Sequence, residues 1–173
     1  MSPTSLSMAK TLVLLIAFFL SQISFAMPDD NDKTATLSAS TASLNQLSHQ
    51  GEYKGKVALD QGTRHLRADR ATTKGDKNNQ LTLARAFGNT TTPAHYWEQT
   101  ALNKPPMHAY AQEIRYYPQR HLIKLIGTAR ITQGKDSFSA PIIIYDTEKQ
   151  HVIAEGNKKT PILIIMHNEK KHG

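Results

Sequence analysis

The chain has 173 residues, with 21 Lys plus Arg against 14 Asp plus Glu and 8 His, a formal net charge of +7. That length suits about one domain, and 39% hydrophobic with 7% aromatic residues is thin for a large helical core but enough for short strands that bury one face each. The cysteine count is 0, which excludes a disulfide scaffold, a thiolate nucleophile, a thiolate zinc site and an iron–sulfur cluster, while the basic excess suits nucleic acid, anionic lipid or acidic glycans without choosing among them.

The first element in chain order is a targeting signal. Lys10 precedes the apolar run Leu12 to Leu20, and Ser24-Phe25-Ala26 puts small residues at the −3 and −1 positions. A basic start, an apolar run of about 7 to 15 residues and such a site describe a secretory signal, cleaved between Ala26 and Met27. An uncleaved membrane anchor is the alternative, but Ser21, Gln22 and Ser24 interrupt a stretch that is already marginal for roughly 30 Å of hydrocarbon. Cleavage leaves 20 basic against 14 acidic residues, a net charge of +6. An exported chain without cysteine fits a bacterial periplasm, where disulfides are permitted but not required. Residues 27–33 (MPDDNDK) read as a flexible leader, 34–166 as the folded domain and 167–173 (HNEKKHG) as a basic, solvated tail.

From Thr34 onward, apolar residues recur at period two between Gly, Asn, Pro and charged clusters, and no window of a dozen residues keeps a helical stripe. This pattern predicts antiparallel strands joined by hairpins, about ten or more of them, in an all-β roll or sandwich. Tyr53, Gly55, Val57 and Leu59 share one face of the clearest strand, opposite Lys54, Lys56 and Asp60. Ala68 to Thr72 leads to a turn at Lys74 to Asn79 and returns through Gln80 to Phe87, with Leu81, Leu83 and Phe87 placed on one face. Beyond the loop Gly88 to Pro93 come a strand at His95 to Gln99, a loop at Leu102 to Pro106, and a hairpin from Glu113 to Gln133 broken at Pro118-Gln119-Arg120. Ser137 to Tyr145 and Gln150 to Glu155 form the next hairpin across Asp146 to Lys149, and Ile162 to Met166 the last strand. Strict alternation selects as inward residues Tyr53, Val57, Leu59, Leu66, Ala68, Leu81, Leu83, Phe87, Ile114, Tyr116, Ile123, Leu125, Ala129, Ile131, Phe138 and Ile142.

The segment Gly55-Lys-Val57-Ala-Leu59-Asp-Gln61-Gly62 recurs as Gly127-Thr-Ala129-Arg-Ile131-Thr-Gln133-Gly134, displaced by 72 residues. Tyr53 then corresponds to Leu125, Leu66 to Phe138 and Ala68 to Ala140. Each copy is a strand that closes on Gln-Gly before an antiparallel return, and Gly62 and Gly134 permit the tight reversal. One hairpin module is used twice.

Several segments carry a family resemblance: the pattern Gly-x-Val-x-Leu-x-Gln-Gly, Leu66-Arg-Ala68-Asp69, Ala84-Arg-Ala86-Phe87-Gly88, Tyr96-Trp97-Glu98-Gln99, and Ala111-Gln-Glu-Ile114-Arg-Tyr116. Leu125-Ile-Gly127, Ile144-Tyr145-Asp146 and Gln150-His-Val152-Ile-Ala154 continue it, in order, across about residues 36 to 156. Together they resemble the LptA or OstA-like family of periplasmic lipopolysaccharide-transport proteins. Two places depart from the family pattern: Ser40 stands where members carry Asp after the apolar-x-Ala pair, and Thr90 to Pro93 lacks the usual compact form.

The resemblance implies an open antiparallel β-jellyroll with a V-shaped apolar interior. It also implies a non-enzymatic carrier that takes lipopolysaccharide across the periplasm, meets LptC-like inner-membrane and LptD-like outer-membrane components, and joins copies head to tail. Under it, the lipid-binding candidates are Val57, Leu59, Leu66, Leu81, Leu83, Phe87, Ile114, Tyr116, Leu125, Ala129, Ile131, Phe138 and Ile142, residue types that also serve as ordinary core. Arg64, Arg67, Arg70 and Arg85 flank apolar strand positions, Arg64 and Arg70 sharing the face of Leu66 and Ala68 by parity, and are candidates to contact lipid A phosphates. Ile162-Leu163-Ile164-Ile165-Met166 is strongly β-prone with only Pro161 as guard, and is either a buried last strand or the edge through which copies add.

The chain carries no G-x-S-x-G, H-E-x-x-H or G-x-x-x-x-G-K-[ST] motif, so hydrolysis of ATP by this chain is not expected. The histidines at 49, 65, 95, 108, 121, 151, 167 and 172 lack ligand spacing, and no metal or cofactor is expected. The competing readings are an inner-membrane-anchored LptC-like relative and an exported polyanion-binding module whose binding would be abolished by salt.

Overall fold

The computed structural model describes residues 33–167 apart from 102, 147, 148 and 150. The expected signal segment with its Ala26–Met27 boundary, the expected leader up to residue 32, Leu102, Thr147, Glu148, Gln150 and residues 168–173 lie outside the described residues.

The alternating pattern resolves into antiparallel strands throughout. The first six are β1 (Ala35–Ser38), β2 (Thr41–Asn45), β3 (Gln50–Gln61), β4 (Arg64–Gly75), β5 (Leu81–Phe87) and β6 (Ala94–Glu98). The next six are β7 (Met107–Ala111), β8 (Glu113–Tyr117), β9 (Leu122–Gln133), β10 (Asp136–Asp146), β11 (His151–Glu155) and β12 (Leu163–Ile165). A short 3-10 turn at Pro118–Arg120 accounts for the break read between β8 and β9. Strands β2 and β7 had no sequence signal strong enough to single them out.

Pairing divides the sheet into two walls that share four long strands. One wall runs β2, the first half of β3, the second half of β4, β5, β8, the first half of β9, the second half of β10 and β11. The other runs β1, the second half of β3, the first half of β4, β6, β7, the second half of β9, the first half of β10 and β12. The strands cross from wall to wall at two bulges. Lys54 pairs with Arg70 and Val57 with Ala68, so β3 carries one residue more than β4; Ile126 pairs with Ile142 and Ala129 with Ala140, so β9 carries one more than β10. The extra residue sits at Gly55-Lys56 (φ +78° and +49°) and again at Gly127-Thr128 (φ +78° and +48°), a left-handed geometry that glycine adopts without steric cost and that bends the strand. Ser40 supports the first crease: its backbone N–H and its hydroxyl both donate to the Gly55 carbonyl, at 2.8 and 3.1 Å. Gln112, 72 residues on, donates its N–H to the Gly127 carbonyl at 3.0 Å.

The repeat therefore extends far beyond one hairpin. Strands β1 to β6 and β7 to β12 pair in the same pattern, β3 with β1, β2 and β4, then β4 with β5 and β6, matched by β9 with β7, β8 and β10, then β10 with β11 and β12. After a four-residue shortening of the β10–β11 turn the displacement becomes 68, and Gly88-Asn-Thr-Thr-Thr-Pro93 recurs as Gly156-Asn-Lys-Lys-Thr-Pro161. Both are compact turns closed by the same bond, Asn89 N–H to Thr92 O at 2.9 Å and Asn157 N–H to Thr160 O at 3.0 Å, so the expectation of a non-compact loop at Thr90 to Pro93 is corrected. Copies meet where β5 pairs with β8 and β6 with β7. Strands β1 and β2 at one end, and β11 and β12 at the other, each have one partner strand among the described residues.

The core is correspondingly small-sided. Ala86, Ala94, Ala109, Ala111, Ile114, Leu125, Ala129, Ala140 and Ile143 form one buried cluster, and Tyr53, Val57 and Ala71 a second. Six of the nine residues of the first cluster are alanines, and Leu125, Ile143 and Val57 are the largest side chains buried outright.

Candidate functional site

Between the walls lies a cavity of about 500 Å³, within the range of small-molecule and lipid pockets. Eight of the candidate lipid contacts line it: Val57, Leu59, Leu66, Leu81, Ile114, Tyr116, Leu125 and Ile131. Tyr53 and Ile123, placed inward by parity, do so as well. Ala129 is 1% exposed within the core cluster and Phe138 packs against it, so both face inward without bordering the cavity.

Three candidates fall elsewhere, because strict alternation ignores the bulges. Residues opposite one another on antiparallel strands share a face. In β10 the inward face passes from Ala140 to Ile143, which is fully buried beside Leu125, and Ile142 turns outward with Ile126. In β5 a register shift at Gly75 leaves Leu81 inside, but Leu83 opposite Lys74 and Phe87 opposite Arg70 point out; Ala84 and Ala86 border the cavity instead. Phe87 lies under the guanidinium groups of Arg70 and Arg85, at 4.1 and 5.0 Å from its ring centre.

The arginines separate in the same way. Arg70 does not share the face of Leu66, since β4 changes phase between Ala68 and Ala71, and it pairs with Glu52 at 3.5 Å. Arg67 is outward too, bonded to Asp60 at 2.8 Å and stacked over Trp97 at 5.2 Å. Arg85 borders the cavity while its guanidinium bonds Glu113 at 2.6 Å. Arg115 holds the other oxygen of that carboxylate at 2.8 Å. Burial raises the Glu113 carboxyl, but the bonds from Arg115 and Arg85 outweigh it and hold it below its ordinary value. Arg64 is not at a rim: it is 3% exposed and borders the cavity, with Nε 4.0 Å from Oε2 of Glu98, itself 4% exposed.

Arg64 and Glu98 belong to a polar cluster that the sequence did not single out. The Tyr96 hydroxyl donates to Glu98 Oε2 at 2.8 Å, and Tyr116 and Tyr145 border the same cavity. Burial, and for Tyr96 and Tyr145 also the Glu98 carboxylate, raises these phenols, Tyr116 to about 12. They stay protonated donors at neutral pH. Glu98 was legible only as part of a motif, and its approach to Arg64 depends on β4 pairing with β6.

On the outer face of the seam between copies, side chains stack across β4, β6 and β7. His65 and His95 flank Trp97 at 4.7 and 4.5 Å, and His95 meets Tyr110 at 4.3 Å and His108 within hydrogen-bond distance, 3.0 Å. These are polar-face histidines engaged with aromatic neighbours. Among the described residues no group of three His, Asp or Glu converges as a metal site.

The carboxyl-terminal strand is exposed. Leu163, Ile164 and Ile165 form β12 on the edge of β10, with Ile162 and Met166 flanking it, and these five residues are 42% to 79% exposed. A buried last strand is thereby excluded.

An all-β, two-walled antiparallel roll around an apolar-lined cavity, with singly paired strands at both sheet ends among the described residues, defines an open β-jellyroll. Residues 36–151 match the family model described as LptA/(LptD N-terminal domain) LPS transport protein, and the chain belongs to that family. It is 30% identical over 140 residues, 81% of this chain and 78% of the relative, to the lipopolysaccharide export system protein LptH of Pseudomonas aeruginosa. It is 24% identical to the lipopolysaccharide export system protein LptA of Haemophilus influenzae, over 91% of this chain and 90% of that one. The crystal structure of LptH, described as the LptA-homologous periplasmic component of the lipopolysaccharide transport device of P. aeruginosa, superposes with a TM-score of 0.71 at 26% identity. That match covers 82% of this chain and all of the other.

Proposed function

We propose that this chain is a non-enzymatic periplasmic carrier that binds lipopolysaccharide through its acyl chains in the trough and helps bridge inner and outer membranes during export. The trough carries the reading: a continuous inward face runs from Leu37 and Tyr53 at one end to Tyr145 and Val152 at the other. A guest with acyl chains needs such a face, since each methylene left in water costs about 0.8 kcal/mol. In this reading a secretory signal is removed between Ala26 and Met27. Arg85, which borders the cavity with its charged end outward, is the arginine we keep for phosphate contact. The polyanion-binding alternative is less favoured, because it leaves the apolar-lined cavity between the walls without a role.

Assembly follows from the repeat. Inside one chain β5 and β6 pair with β8 and β7; the next repetition of that step sets β11 and β12 of one copy against β2 and β1 of another, continuing the trough from molecule to molecule. The LptC-like and LptD-like partners of the family would meet the same two ends.

A photo-crosslinking residue at Leu59 or Ile131 is expected to yield lipopolysaccharide adducts in cells, and one at Lys54 or Lys56 none. Adducts at the lysines alone would overturn the trough.

A further inference from the structure

A trough for hydrocarbon has no use for a buried ion pair, yet Arg64 and Glu98, 3% and 4% exposed, lie within it beside the phenols of Tyr96, Tyr116 and Tyr145. Buried pairs are expensive to desolvate and are often replaceable by apolar residues without loss of stability. The pair is not part of the repeat. In the second copy the positions of Arg64, Tyr96 and Glu98 are occupied by Asp136, Ile164 and Met166, and β10 and β12 pair there in the register of β4 and β6 without them. The cluster is an addition at one point along an otherwise repeated wall.

Its charge balance says what it suits. Glu98 lies 4.0 Å from Arg64, so the pair is neutral overall and offers little net attraction to a phosphate. What remains are protonated hydroxyls and a carboxylate already accepting from Tyr96 at 2.8 Å, which are groups that exchange hydrogen bonds with a neutral polar partner.

Resting on the carrier reading, we propose that this cluster is a polar station that binds a neutral hydrogen-bonding group on the acyl guest, a hydroxyl or a linkage carbonyl, so that the trough prefers functionalised acyl chains to plain hydrocarbon ones. A plain chain lying across it desolvates the half-buried phenols of Tyr116 and Tyr145 and returns no hydrogen bond, whereas a hydroxylated chain compensates.

The test uses the mature full-length chain and two probes of equal charge and length, 3-hydroxytetradecanoate and tetradecanoate, measured by displacement of a fluorescent fatty acid. The hydroxylated probe is expected to bind about tenfold more tightly. The double substitution Arg64→Met with Glu98→Met is expected to bring the ratio close to one while retaining binding of both. Tyr145→Phe and Tyr116→Phe, which remove only a hydroxyl, keep the test open should the double variant fail to fold, and each should lower the ratio. Equal binding of the two probes by the unaltered chain, or a ratio that no substitution changes, would overturn the station while leaving the trough standing. Binding of neither probe would overturn the carrier reading beneath it.

Discussion

Gly127 shows how much one backbone angle decides. At φ +78° it carries the second crease, and a Cβ there would run into Oε1 of Gln112. Gly127→Ala should therefore cost about 1–2 kcal/mol from the left-handed backbone alone, seen as a lower urea midpoint with an unchanged m-value. His95 is the other residue with a measurable signature. Burial, then the neighbouring His108 and Arg67, lower its ring from 6.5 to about 4. Between those values the unfolded chain binds a proton that the folded chain does not. Stability from this site is thus complete above about pH 6.5 and declines as pH falls towards 4. Thermal melts from pH 7 to 4 should show that decline, and His95→Gln should flatten it. Glu113 acts in a lower window: its carboxyl is held below 4.5, so its contribution is present above that value and is lost as pH falls through the folded value. A melting profile that is flat from pH 6.5 to 4.5 in the unaltered chain would contradict the assignment to His95.

At the scale of the strand, the bulges matter more than the alternation they interrupt. Period-two reading put Ile142, Leu83, Phe87 and Arg70 inside, and each error lies beyond a residue where one strand gains a residue on its neighbour. No local preference marks such a shift except a glycine, and Gly55 and Gly127 were legible as strand residues but not as creases. The contrast is testable on adjacent residues. Ile143→Ala, at a fully buried site, should cost about 2–4 kcal/mol, while Ile142→Ala, half-buried on the outer face, should cost under about 1 kcal/mol. Equal costs in urea titration would mean that β10 keeps its phase through the crease.

At the scale of the whole molecule, the described residues form two copies of a six-stranded unit joined head to tail, and the strands left at both ends have one partner each. Under the proposed assembly the internal pairs Ala84 with Tyr116 and Ala86 with Ile114 are repeated between molecules as Val152 with Leu44 and Ala154 with Ala42. Likewise Tyr96 with Ala109 becomes Ile164 with Leu37. The chain has no cysteine, so a Val152→Cys, Leu44→Cys variant has a single designed pair. Oxidation should give a ladder of linked copies on a non-reducing gel, with Ile153→Cys in place of Val152→Cys giving far less. Deleting residues 162–173 should shorten the distribution of oligomers, and an unchanged one would argue against β12 as part of the joint.

The sequence by itself determined the all-β class, the tight reversals at Gly62 and Gly134, the doubled module and the family, because alternation, glycine placement and repeated spacing are local or periodic properties of the chain. Only the tertiary structure decided which residues face the trough beyond each bulge, where Arg64 lies, and that Glu98 stands beside it. Those facts depend on pairing between segments far apart in sequence, and a shift of one residue in that pairing turns every later side chain to the opposite face.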